Sequence, residues 1–235
     1  MTEARRFPTP RQRALLTPII AASAWYFRAR AHGVERIPAD RPVLFVGKHP
    51  RGWLYLEIMV LGWFVFFRRG GRPSIRVMEK QGTSLHEAPL IGLIRRNVNA
   101  IPATEEAALA AFAGGESVLM FPGGPREMFG EPDVLQWAGR RGFARIAARG
   151  GVAVVPFAIA GADRQHPWRV RLGKRRTLWL PPVPLPVRME VHFGAPMDPP
   201  PADDPGAVDR FADAVAAETQ RLLDAATGRS PRAGA

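Results

Sequence analysis

The 235 residues carry 33 Lys and Arg against 21 Asp and Glu, a formal charge of +12, with 46% hydrophobic residues and no Cys. This composition excludes a disordered chain and suffices for a buried core, while the lack of Cys excludes a disulfide framework, a thiolate metal site and a Cys nucleophile. The positive charge suits polyanions of three kinds, namely nucleic acid, an anionic leaflet or a phosphate-rich ligand, and does not by itself choose among them.

The chain opens on charges and continues into an apolar run over 14–27, broken by Thr17, Pro18 and Ser23. It lacks a small-residue cleavage site, so residues 1–39 are read as a basic and apolar membrane-associating segment rather than a signal peptide. PVLFVG (42–47) predicts a buried strand ending before Lys48-His49-Pro50. WLYLEIMVLGWFVFF (53–67) is apolar except for Glu57. As a helix it would be about 22 Å long, short of the roughly 30 Å hydrocarbon core. A buried helix and an interfacial segment anchored by Trp53 and Trp63 both stay open.

IRVME (75–79) predicts a second strand and PLIGLIRR (89–96) a short helix. TEEAALAAF (104–112) has the marks of a helix, with Thr104 as N-cap and Gly114-Gly115 after it. SVLMF (117–121) is a third strand running into Pro122-Gly123-Gly124-Pro125-Arg126-Glu127. A helix over 137–149 would carry Arg141, Arg145 and Arg149 at i, i+4 and i+8. Strands follow at 152–160 and 188–194, separated by an extended Pro-rich crossing over 179–187, and an amphipathic helix over 208–226 closes the chain. Strands alternating with helices predict an α/β fold: a central, largely parallel sheet flanked by helices. Residues 40–227 are expected to form one domain and 228–235 a disordered tail.

In open α/β sheets ligands collect at the carboxyl ends of strands. Two polar clusters fall there, Lys48-His49 after the first strand and Gly123 to Glu127 after the third. A His on such a turn titrates near neutrality and suits general base chemistry. An ordinary loop His, a simple chain reversal at Gly-Gly-Pro and a solvated Arg126–Glu127 pair would leave the same residues. His32, His86, His166 and His192 show no metal-ligand spacing and are read as structural, and no phosphate-loop or dinucleotide fingerprint is present.

Taken together, the His turn, NVNAIPA, FPGGPRE, RRGFARIAARGG and VVPFAIAG resemble the phospholipid/glycerol acyltransferase superfamily over about residues 40–197. FPGGPRE with Gly139-Arg140-Arg141-Gly142-Phe143 is most similar to the type-2 diacylglycerol acyltransferase and transmembrane-protein-68-like branch. The resemblance implies that His49 takes the proton of an acceptor hydroxyl as its oxygen attacks an acyl thioester. It places Arg95, Arg96 and Asn97 in the block where phosphate-bearing acceptors are held. Phe121 to Glu127 fall in the block that shapes the acceptor site, and Val154-Val155-Pro156 in a structural one.

The sequence departs from the family where an Asp is expected five or six residues after the His: Leu54 and Tyr55 stand there, and Glu57 is the first carboxylate. Glu57 is the expected partner of His49 if the turn carries an insertion at Pro50-Arg51-Gly52. Glu127, Glu131 or Glu79 reaching in from another strand end, and a site without its dyad, stay open. The latter corresponds to a non-catalytic lipid-binding protein on the same scaffold.

The expected activity is transfer of a fatty acyl group from acyl-coenzyme A or an acyl carrier protein to a hydroxyl of a glycerolipid or lipid alcohol, without cofactor or metal. His49 and Glu57 are the catalytic candidates, and Arg95, Arg96, Gly123, Gly124, Arg126, Glu127 and Arg141 the substrate-binding ones. Gly-Gly in place of the Glu-Gly pair of lysophosphatidate enzymes favours a neutral acceptor. The partners expected are the acyl thioester, the lipid acceptor and an anionic membrane, on its cytoplasmic face. Nucleic acid is not expected, since no helix-turn-helix, zinc or RNP pattern appears.

Overall fold

A computed structural model of the protein describes residues 10–51, 60–67, 75–79, 100–172 and 176–229. Among these, seven strands form one sheet: β1 (Arg30–His32), β2 (Leu44–Gly47), β3 (Ile75–Glu79), β4 (Ala100–Pro102), β5 (Ser117–Met120), β6 (Val154–Ala160) and β9 (Glu190–Phe193), in the order β1-β9-β6-β2-β5-β3-β4. All neighbours are parallel except β6 and β9, which run antiparallel. The sheet is thus mostly parallel, and its central strands are buried throughout. Every residue of β2 and of β6 is buried. Burial on both faces is why these strands are continuous apolar runs in the sequence.

Helix α1 (Pro10–Tyr26) and the helical turns at 60–67 lie on one face, the latter wound as a π-helix over Trp63–Phe67. That face is packed by Phe27, Phe45, Leu61, Phe64, Phe157 and Phe193. The opposite face is covered by α2 (Glu105–Ala113), α4 (Gly142–Gly150) and α5 (Pro205–Thr227) over Leu44, Val46, Phe112, Phe143, Val154 and Val215. Sequence-coded caps fix two of these helices: Thr104 accepts from the Ala107 amide, and Asp204 from the Ala207 amide. The short α3 (Pro125–Phe129) follows β5 directly.

Three elements differ from the sequence expectation. The helix expected over 137–149 starts at Gly142, because Gly139, at a φ of 68°, turns the chain just before it. Arg141 therefore lies at the N-cap, outside an i, i+4, i+8 stripe. The crossing expected over 179–187 begins inside a hairpin of β7 (Trp168–Leu172) and β8 (Arg176–Leu180), a separate two-stranded sheet. Finally, residues 30–32 of the N-terminal segment form the edge strand of the main sheet, paired in register with Glu190–His192. A three-residue Arg-Ala-His strand is too short and too polar to show a period. Among the described residues, no helix is long and apolar enough to cross a membrane.

Candidate active site

The strand order brings three loops together. β2 lies between β5 and β6, with Val46 level with Met120 and Gly47 with Phe157. All three strands run the same way, so the segments leaving them, 48–51, 121–127 and 161–165, emerge side by side. His49 sits in the first, 8% exposed, with its ring 4.9 Å from that of Phe121. Its Nδ1 is 2.8 Å from the Pro50 carbonyl oxygen. A carbonyl only accepts, so this contact places the proton on Nδ1 and the lone pair on Nε2.

Glu127 comes from the second loop, fully buried. Its Oε2 accepts from the His49 amide at 2.8 Å and its Oε1 from the Gln136 amide at 3.1 Å. The carboxylate thus holds the backbone of the His turn. The Gly-Gly pair makes this possible. A Cβ on Gly123 would lie 2.2 Å from Glu127 Cδ, and Gly124 takes a φ of 56° that favours glycine.

The third loop supplies a residue the sequence reading passed over. Asp163 is buried three residues beyond β6, where Gly161 turns the chain at a φ of 84°. Its Oδ2 accepts from Lys48 Nζ at 2.6 Å and from the Asp133 amide at 2.9 Å, and its Oδ1 from the Arg51 amide at 2.8 Å. Both side chains of the Lys48–Asp163 pair are only 4% exposed. Gln165 Nε2 donates to the Arg51 carbonyl at 2.8 Å, and the Arg51 guanidinium donates to the Gly130 carbonyl. His49 is therefore flanked by Lys48 and Arg51, both tied to one carboxylate. The available signal was position alone: an Asp just past the end of the strand next to β2.

Burial is the largest influence on both titrating groups of the cluster. It lowers the His49 imidazole from 6.5 to about 4, with Lys48 adding to the fall and the Pro50 carbonyl and Asp163 opposing it. It raises Glu127 from 4.5 to about 7, against the two amides that donate to it. The ring is thus neutral across the physiological range, with Nε2 unprotonated and its basicity weakened by burial.

Of the other residues singled out in the sequence, Arg126 is exposed in the first turn of α3. Arg141 is engaged by α5: its guanidinium donates to the Asp209 carbonyl and contacts Asp213 at 3.1 Å. Arg149, at the far end of α4, pairs with Glu105. Glu57, Arg95, Arg96 and the 89–96 helix lie outside the described residues, as does the tail beyond Arg229.

Comparison with known proteins gives this arrangement its setting. The fold is similar to the crystal structure of the 1-acyl-sn-glycerophosphate acyltransferase PlsC from Thermotoga maritima, with a TM-score of 0.58 and 17% identity over 94% of this chain and 87% of that one. The "DGAT1/2-independent enzyme synthesizing storage lipids" of Bos taurus is 25% identical over 215 residues, covering 86% of this chain and 61% of that protein. Its Homo sapiens counterpart is likewise 25% identical, with 63% of its length covered. Phytyl ester synthase 1 of Arabidopsis thaliana is 30% identical over 138 residues, 56% of this chain and 19% of that protein. The chain thus spans about three-fifths of the storage-lipid enzymes and a fifth of the synthase. A family model described as Acyltransferase matches residues 28–160, from just before β1 to the end of β6 and including the His49 turn and the Gly123–Glu127 loop. With more than half of its length matched by that model, the chain belongs to the acyltransferase family.

Proposed function

We propose that the protein transfers a fatty acyl group from an acyl thioester to a hydroxyl of a neutral glycerolipid or lipid alcohol, with His49 as general base. The observation that carries this reading is the Nδ1 contact with the Pro50 carbonyl, which fixes the lone pair on Nε2 of a neutral ring. The acceptor hydroxyl gives its proton to Nε2 as its oxygen attacks the thioester carbonyl carbon. The tetrahedral intermediate then collapses, and the departing thiolate takes the proton back from the imidazolium. The Pro50 carbonyl accepts from Nδ1–H throughout, the orienting task that a carboxylate performs in a Ser-His-Asp site. With no Cys among the 235 residues, the acyl group does not pass through a Cys-linked acyl-enzyme.

The neutral acceptor is favoured by the loop chemistry. Gly123-Gly124 stands where lysophosphatidate enzymes carry a Glu-Gly pair, and it lets the Glu127 carboxylate fold under the turn onto the His49 and Gln136 amides. The activities for which the relatives are named, storage-lipid synthesis and phytyl ester synthesis, are consistent with lipid alcohols as acceptors. Among the described residues, Arg126 is exposed beside the loop and available to meet a phosphate on donor or acceptor.

The protein is further proposed to act at the cytoplasmic face of a membrane, as a peripheral or monotopic protein drawn there by its positive charge. Exposed Trp25 and Ile19 on α1 and Val183 and Leu185 in the loop after β8 support this. Tyr26 Oη and Arg28 donate to the Pro184 and Pro186 carbonyls, which places the end of α1 against that loop. The loop in turn reaches the site, since the Leu185 amide donates to the Gln165 carbonyl.

The test is thiol release by the detergent-purified protein over a panel of acyl donors and lipid acceptors. His49→Ala is expected to lower the rate by about 10²- to 10⁴-fold. An undiminished rate would remove His49 from the mechanism. If no donor is consumed while the protein still binds vesicles, the non-catalytic lipid-binding reading stands instead. Glu57→Gln tests the partner expected from the sequence, and a loss smaller than about tenfold counts against it.

A further inference from the structure

We propose that His32, Glu190 and His192 form a binding site for a divalent transition metal of the zinc class, clamping the edge strand β1 to β9. The sequence separates His32 from Glu190 and His192 by 158 and 160 positions, and strand pairing brings them together. β1 and β9 are parallel neighbours with His32 opposite His192 and Arg30 opposite Glu190. Side chains alternate along a strand. Val191 and Phe193 enter the core on the α1 side, so Glu190 and His192 project from the other face, where His32 joins them.

The two imidazoles stack with centroids 4.4 Å apart and planes 22° from parallel, so the half-exposed His32 ring must turn for both Nε2 lone pairs to meet at one ion. Glu190 Oε2 is 3.5 Å from His32 Nε2 and 3.5 Å from His192 Nε2. All three candidate ligand atoms lie within 4.8 Å of one another. Tetrahedral zinc with bonds of about 2.0–2.1 Å holds its ligand atoms about 3.3 Å apart. The two edges that include the carboxylate therefore stand within a few tenths of an ångström of that spacing. His192 Nε2 is buried, and its 3.5 Å approach to Glu190 Oε2 is too long for a well-formed hydrogen bond, so the nitrogen is costly to bury as it stands. Arg188 holds the other carboxylate oxygen, Oε1, at 2.8 Å, which keeps Oε2 turned to the rings in the way outer residues orient metal ligands. The His32 side chain is 52% exposed, so an ion has a path in, and a fourth position stays open to water.

Two imidazoles and one carboxylate select zinc, cobalt, nickel or copper over magnesium or calcium, which take oxygen ligands. The bound ion would cross-link a three-residue strand to its neighbour. That strand follows α1 by three residues, so the clamp fixes the segment that carries Trp25 and Ile19.

The test uses the full chain without a histidine tag, stripped with a chelator and desalted. Titration with ZnCl2 is followed by calorimetry, and titration with CoCl2 by visible absorption. The expected results are one ion per chain, the d–d bands of four- or five-coordinate cobalt, and a Tm raised by zinc and not by magnesium. His32→Ala and His192→Ala are each expected to weaken zinc binding by roughly 100-fold or more, beyond what loss of an outer partner causes. His32 is half exposed, so its variant keeps the fold and decides the matter even if His192→Ala does not fold. Failure of the wild-type chain to bind zinc, or binding left unchanged by His32→Ala, overturns the site.

Discussion

At the scale of single residues, the pH profile separates the proposed base from an ordinary histidine. A base held near 4 stays unprotonated in mild acid, so the acid limb of kcat/KM for thiol release is expected near pH 4 to 5 instead of near 6.5. The same two groups act on stability in opposite directions. Between about 4 and 6.5 the unfolded chain protonates His49 and the folded chain does not, so this group makes stability rise with pH. Between 4.5 and about 7 the folded chain keeps a proton on Glu127 that the unfolded chain has lost, so this group makes stability fall with pH. The two slopes cancel where they overlap. Denaturant titrations across this range are expected to show His49→Ala losing stability from pH 4.5 to 7 relative to wild type, as the Glu127 slope is left alone. Geometry makes a separate prediction at Gly123. A methyl group there meets Glu127 Cδ at 2.2 Å, so Gly123→Ala displaces the carboxylate from the His49 amide. A loss of about 1–3 kcal/mol by denaturant titration is expected, the range for overpacking a buried site.

At the scale of elements, the ends of β2 and β6 are joined by charge. Lys48→Met removes the ammonium from a carboxylate that is almost wholly enclosed, and a loss of about 3–5 kcal/mol is expected, measured as a fall in the urea midpoint. The double variant Lys48→Met with Asp163→Leu is expected to recover part of it, because the uncompensated charge is gone. Recovery stays incomplete because the Arg51 and Asp133 amides lose their acceptor. The same elements show what was readable in advance. β2, β5 and β6 stood out because strands buried on both faces are near-continuous apolar runs bounded by Gly or Pro, whereas β3, with Arg76 and Glu79 and only Val77 buried, stood out by its Ile, Val and Met alone. β7 carries the alternation Trp168-Arg169-Val170-Arg171-Leu172, a period of two, while β8 runs Leu178-Trp179-Leu180 straight into prolines that obscured it. The start of α4 was read five residues early because Trp137 continues the apolar spacing up to the turn at Gly139.

At the scale of the whole molecule, the charge of +12 and the exposed apolar side chains on α1 and the 181–187 loop make a joint prediction. Co-sedimentation is expected with vesicles containing phosphatidylglycerol and to weaken with added salt, as electrostatic attraction within a Debye length requires. Trp25→Ser is expected to lower partitioning roughly tenfold at fixed charge, the scale of removing one large apolar side chain from a lipid contact. Binding to neutral vesicles equal to that to anionic ones would separate the charge from membrane attachment.

The sequence by itself determined the α/β class, the strands of the sheet centre, the family resemblance, and the placing of His49 and the Gly123-Gly124 turn at strand ends. These are local properties: periodicity, caps and turn residues are written within a dozen positions of each other. It named Glu127 as well, but as a substrate contact or a partner of the imidazole, whereas the carboxylate accepts from the His49 amide. Only the tertiary structure decided that, along with the joining of Lys48 to Asp163 and of His32 to Glu190 and His192. Those contacts depend on which strands lie side by side: β6 next to β2, and the antiparallel β9 between β6 and β1. The order of strands is set by how two apolar faces are covered at once, a property of the whole chain that no short window of residues contains.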